Sequence, residues 1–100
     1  MSRRIDVTAE ITLQRPGEGP RQSPLIGEWF GCPVSIGGEM FDIRFYLPAH
    51  GIELGSTSTV EGAFLSPELV RPLLKRGTKF TLWERGTIGH GTVMEVHGDT

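Results

Sequence analysis

The chain has one cysteine, Cys32, among its 100 residues. No intrachain disulfide can form, so the fold must stand on its core alone, and a lone thiol suits a reducing compartment. Long apolar runs are also missing, and none is long enough to cross a bilayer. The start, "MSRRIDVTAE", carries two arginines without the apolar stretch that a secretory or twin-arginine leader requires. A cytoplasmic protein with no membrane partner is therefore expected. Neither sign of charge dominates: Lys and Arg number 10, Asp and Glu 12, giving a formal charge of -2. A general nucleic-acid coat needs surplus clustered cations and is disfavoured, although a local basic patch is still allowed. Room for long helices is scarce too, because Gly 14 and Pro 7 interrupt the chain every few residues.

Catalytic motifs are equally sparse. No G-x-x-x-x-G-K-[ST] loop occurs, and "GHGTV" lacks the spacing to cradle phosphates, so GTP is not an expected ligand. His50, His90 and His97 show no ligand spacing, and one cysteine adds nothing to them, so no metal is expected. His90, flanked by glycines on a mostly apolar strand face, reads as a partly buried histidine with its hydrogen bonds satisfied. Cys32 precedes Pro33 in an apolar segment with no identifiable base beside it, and reads as a small packed hydrophobe. No catalytic residue or cofactor is assigned. A small enzyme using His90 or Cys32 is the alternative with no assembled constellation behind it.

What is present is strand pattern and turn chemistry. In "IDVTAEITLQ", residues 5–14, Ile5, Val7, Ala9, Ile11 and Leu13 alternate with Asp6, Thr8, Glu10, Thr12 and Gln14, the signature of a strand with one buried and one wet face. "RPGEGPRQSP" must be loop, and "LIGEWFGCPVSI" reads as one or two short strands with a bulge or corner. Gly37-Gly38 predicts a tight hairpin turn, after which Phe41, Ile43, Phe45 and Leu47 alternate inward. A two- or three-residue strand at Ile52 to Leu54 and another in "TVEGAFLS" follow. "SPELVRPLLKRG" starts as a helix, with Ser66 as cap, Pro67 at the first position and Glu68 on the dipole. Pro72 lacks the N–H a continuing helix needs, at a cost of ~3 kcal/mol, so one or two turns are expected. "KFTLWE" and "TIGHGTVMEV" close the chain as a hairpin in which Ile88, Met94 and Val96 share the inward face with His90 and Thr92. Gly89 and Gly91 on the other face let the strand curve and something approach closely. The sum is one all-β domain over residues 1–100: a small six- to seven-stranded antiparallel, Greek-key-like barrel with a short helical turn near 66–76.

Two stretches, "EGPRQSP" after the alternating first strand and "FTLWERGTIGHGTV" at the end, resemble the C-terminal β-barrel domain of elongation factor Tu. That family has a Glu-Gly-Gly-Arg-x-Thr-Pro loop, matched by Glu18, Gly19, Arg21, Ser23 and Pro24, with Pro20 in place of the second glycine. Its final hairpin, Phe-x-Ile-Arg-Glu-Gly-Gly-Arg-Thr-Val-Gly-x-Gly, is matched by Phe80, Leu82, Glu84, Gly86, Thr87, Ile88, Gly89 and Gly91 once one turn residue is dropped. Trp83 stands for the family arginine and Arg85 for a glycine. The resemblance covers roughly the first thirty and last thirty-five residues.

In the family, the matched loop and hairpin turn contact the T arm of aminoacyl-tRNA and the barrel also meets protein partners. The resemblance thus implies a binding face of Arg21, Ser23, Glu84, Arg85 and Gly86, which would follow the shape of A-form RNA. The plainer reading is that Arg21 and Ser23 order a loop and Arg85 is a solvated turn residue. Trp83, opposite in parity to Phe80 and Leu82, is expected on the outer face as an interface anchor for protein or a stacked base, or else covered by a loop or the 66–77 segment. Arg71, Lys75, Arg76 and Lys79 form the one basic concentration, which Arg85 could join through the hairpin. The expected function is a stand-alone, non-enzymatic binding module for a protein partner, which the resemblance would link to translation, with structured RNA or tRNA as the alternative.

Overall fold

The structure, a computed structural model, describes residues 4–98. Arg3, half of the Arg3-Arg4 pair, lies outside the described residues. Six strands close a barrel: β1 Val7–Leu13, β2 Trp29–Ile36, β3 Glu39–Tyr46, β4 Thr57–Phe64, β5 Lys79–Trp83 and β6 Thr87–Val96. Their order around the wall is β1-β4-β3-β2-β5-β6, and every neighbouring pair is antiparallel. β2, β3 and β4 form a meander and β1 returns beside β4, which is Greek-key connectivity.

Alternation builds the interior. Val7, Ala9, Ile11 and Leu13 of β1 are buried, as are Ile43 and Phe45 of β3 and Phe80 and Leu82 of β5. The Phe45 and Phe80 rings stack across the barrel with centroids 6.1 Å apart. Gly37 and Gly38 both take positive φ, +60° and +88°, the pairing a two-residue hairpin turn needs to follow strand twist. Each barrel end is plugged from a connection. At one end Leu25 and Ile52, both buried, exchange two backbone hydrogen bonds of 2.9 Å. That isolated bridge is all that forms of the strand expected at Ile52 to Leu54.

At the other end the β4–β5 connection forms α1, Pro67–Val70, and then a 3-10 turn, Arg71–Leu73, with Val70 fully buried. Pro67 sits in the first turn as expected, and the helix tightens to 3-10 where Pro72 would have had to donate. Ser66 does not cap it: its side chain makes no capping hydrogen bond.

Two expectations from alternation fail for physical reasons. Asp6, expected on the wet face, is 4% exposed. Its carboxylate accepts the Phe64 N–H at 2.8 Å and Arg4 Nε at 3.3 Å, and lies 3.9 Å from the Arg71 guanidinium. A charge can be buried when partners on three segments meet it, and here they tie β1, β4 and the 3-10 turn together. The middle of β6 is also reversed, although Ile88 is buried as expected. Gly89, Gly91 and Val93 point inward, while His90, Met94 and Val96 are exposed. Two bulges bound the reversed stretch, and beyond the second Val96 again lies opposite the buried Val7. Ile88 is the extra residue opposite Leu82 and Trp83, and Met94 the extra residue opposite Thr8 and Ala9. Each insertion shifts the two-residue period by one. The inward glycines make room, since a Cβ at Gly91 would overlap the Phe80 ring and one at Gly89 the carbonyl of Thr12.

Candidate functional site

The β5–β6 hairpin tip is Glu84-Arg85-Gly86, held by the Glu84 N–H donating to the Gly86 carbonyl at 2.7 Å. Arg85 takes φ +60°, and it is the only non-glycine with positive φ among the described residues. Gly86, at φ +139°, lies beside Pro20 of the β1–β2 loop, whose ring would sit 3.5 Å from an added Cβ. The loop is thus laid against the tip rather than free in solvent.

Arg21 fastens the two. Its Nε donates to the Ser23 carbonyl at 2.8 Å, Nη2 to the Pro24 carbonyl at 3.1 Å, and Nη1 to Glu84 Oε1 at 2.8 Å. The guanidinium also lies 5.1 Å from the centre of the Phe30 ring. Fork-shaped donors with carbonyls, a carboxylate and a ring around them define a positioned arginine, and its side chain is only 19% exposed. Ser23 contributes its backbone carbonyl to that network. Pro20, Arg21, Gln22, Ser23, Glu84 and Arg85 line one open groove of about 440 Å³. Four of the six residues named from sequence meet there, and Gly86 borders it through Pro20. Arg21 and Glu84 neutralise each other, leaving Arg85 as the cation without an ion-pair partner among the described residues.

Trp83 is not part of the groove lining. It closes β5 on the outer wall, 44% exposed, while Leu82 beside it is fully buried. Its strand parity therefore holds, and neither a loop nor the 66–77 segment seals it. The basic run does not join Arg85. Lys79 opens β5 and Arg85 lies beyond its far end, so about 20 Å of extended chain separates them. Arg71 faces Asp6, and Lys79 Nζ bonds Thr92 Oγ1 at 3.1 Å.

The groups weighed for catalysis are apart. Cys32 is buried, and that burial pushes its thiol up to about 12 against the opposing pull of the Trp83 backbone hydrogen bond. It packs as a hydrophobe and is no nucleophile at neutral pH. His90, expected to be partly buried, is exposed between Thr12 and Thr81 on the wall. His97 shares a hydrogen bond with Thr8 Oγ1 at 2.7 Å. Among the described residues no three His, Cys, Asp or Glu side chains converge. One contact went unread in the sequence: the Arg44 guanidinium stacks 3.9 Å from the centre of the half-exposed Trp29 ring. Its signal was register, since a β2–β3 turn at Gly37-Gly38 sets Gly31 opposite Arg44 and brings Trp29 alongside.

Among the described residues no helix is long and apolar enough to cross a membrane. No protein-family model matches the chain, and no curated protein matches it either.

Proposed function

We propose that this chain is a non-enzymatic, cytoplasmic binding module that docks a protein partner on its β5–β6 hairpin, with Trp83 as the anchor and Arg85 as its charged neighbour. The elongation factor Tu-like residues of the loop and hairpin suggest a translation-linked partner. The observation that carries the reading is Trp83. A large aromatic side chain left 44% exposed on a rigid barrel wall loses little conformational freedom on binding and supplies much contact area. Arg85 adds to it, because a side chain held at φ +60° is strained and such positions cluster at binding sites. RNA is the weaker fit. Arg21 spends its donors on Ser23, Pro24 and Glu84, so one free cation faces the groove where phosphates would need several.

The test places a photo-crosslinking side chain at the exposed groove residue Gln22 and irradiates the full chain in its native lysate. A crosslinked product that resists nuclease and disappears with Trp83→Ala is expected, with thermal stability nearly unchanged. A product degraded by ribonuclease, or tRNA association at about 50 mM salt that Arg85→Glu removes, would transfer the function to RNA.

A further inference from the structure

At the opposite end of the barrel from the hairpin tip, the connection that carries α1 turns an apolar stripe outward. Leu65, Leu69 and Leu73 recur at four-residue spacing and are 66%, 64% and 41% exposed. Only Val70 of α1 is spent on the core. Leu65 is fastened to β3, its N–H donating to the Asp42 carbonyl at 3.0 Å. That bond sets the stripe beside Met40, itself 50% exposed. Between them lies a groove of about 180 Å³, walled by Met40, Phe41, Phe64, Leu65 and Leu69 and edged by Asp42 and Ser66. Singly exposed apolar residues are ordinary, but a contiguous group around a concavity marks a contact surface.

Volume and charge define what fits. An apolar space of ~150 Å³ takes one benzene-sized group, so this groove accepts a single phenylalanine or leucine side chain. Its lining holds one carboxylate, Asp42, and no lysine or arginine. Glu39 and Glu68, both exposed, directly precede Met40 and Leu69 in the chain. The Asp42 carboxylate has no ion-pair partner among the described residues, and the Ser66 hydroxyl is not used as a cap. Within the lining a cationic segment is favoured over a phosphate-bearing one, because the one formal charge there is negative. We propose that this groove docks a linear protein segment that carries one large apolar side chain flanked by lysine or arginine. This surface is separate from the Trp83 hairpin, so the module would have two contact faces at the two ends of one barrel.

Fluorescence anisotropy of the full chain with a labelled peptide, Lys-Lys-Phe-Lys-Lys at its centre, tests this directly. Saturable binding is expected, weakened roughly tenfold or more by Leu69→Ser in the protein or by Phe→Ala in the peptide. Asp42→Asn should cost roughly threefold and flatten the salt dependence. Leu69 is exposed, so Leu69→Ser should leave the melting temperature within a degree or two, and Met40→Ser provides an independent second variant. Absence of saturable binding at millimolar peptide overturns the proposal. So does equal binding of the Phe→Ala peptide, or of a peptide with glutamates in place of the lysines. A dimer that Leu69→Ser disperses would overturn it in favour of a second copy as the occupant.

Discussion

Replacing Arg21 by alanine separates a structural fastener from a solvated contact residue, because the two roles give different melting curves. Two hydrogen bonds to the Ser23 and Pro24 carbonyls are lost, each ~1 kcal/mol net. The ion pair with Glu84 is 40% exposed on the carboxylate side, so it is discounted to ~0.5 kcal/mol. The Phe30 ring contact adds ~0.7 kcal/mol at its partly exposed site. Against these gains, holding a long side chain in one geometry costs ~1.5 kcal/mol, which alanine recovers. The balance is a destabilisation of about 1.5–2 kcal/mol. For a domain of this size that corresponds to a fall in Tm of roughly 6–16 °C. Thermal unfolding followed by near-ultraviolet circular dichroism measures it, with Arg85→Ala as the control on the same groove. Arg21→Lys should recover less than half, because an ammonium cannot span both carbonyls and Glu84 at once. An Arg21→Ala protein that melts within 2 °C of the parent would refute the fastener reasoning.

Arg85→Gly should stabilise the fold by about 0.5 kcal/mol in urea titration, relieving ~1–2 kcal/mol of left-handed strain while losing ~0.4–1 kcal/mol through the freer unfolded chain; a loss of stability would show that the Arg85 side chain has a folded-state partner. Gly91→Ala should destabilise by ~1–3 kcal/mol, because the added methyl meets the Phe80 ring inside a closed wall that cannot widen; a neutral outcome would contradict the packing of those rings. Cys32 should resist a thiol-disulfide reagent at pH 8 in the native protein and react at once in denaturant, since its thiol stays protonated until about 12 and is 6% exposed. The same raised value makes stability pH-dependent with a definite sign: the unfolded thiol ionises from about 9 and the folded one does not, so Cys32 favours folding below pH 9 and loses that contribution as pH climbs toward 12. A Cys32→Ala protein should show a shallower loss across that window.

Where burial follows a regular pleat, the sequence was readable. β1 and β3 bury Val7, Ala9, Ile11, Leu13, Ile43 and Phe45 as expected, while Ile5, Phe41 and Leu47 are half-buried. Gly37-Gly38 turns where two adjacent glycines must, and Pro72 ends the helix after one turn. Where a residue is inserted, the same logic misleads. Nothing in "TIGHGTVMEV" announces that Ile88 and Met94 are extra, and only their partners on β5 and β1 reveal it. Asp6 shows the other limit. Alternation assigns a face but not what covers that face, and at the head of β1 the cover comes from Phe64 and Arg71, many residues away. The groove is intermediate. The loop and the hairpin tip were grouped by resemblance, whereas the inward aim of Arg21 depends on carbonyl positions that no motif encodes.

The ladder lengths explain why Arg21 matters more than a loop arginine would. β2 and β5 pair only through Val34 with Leu82 and Ser35 with Thr81, the shortest ladder in the barrel. Pro33 has no N–H to extend it, and the Trp83 backbone hydrogen-bonds to the Cys32 side chain instead. Beyond that point β2 and β5 make no further ladder pairs beside the hairpin tip. Arg21, stacked on Phe30 of β2 and bonded to Glu84 past the end of β5, links the two strands where the ladder stops. A ladder normally sets both the position and the stiffness of a strand end. Here the loop supplies them, so Trp83 and Arg85 are held at a fixed place by Arg21, whose side chain never needs to touch the partner. Backbone hydrogen exchange at Trp83 and Glu84 should therefore accelerate in Arg21→Ala while exchange in β1 and β4 does not. Uniform acceleration throughout the barrel would mean that Arg21 adds to global stability without closing this seam.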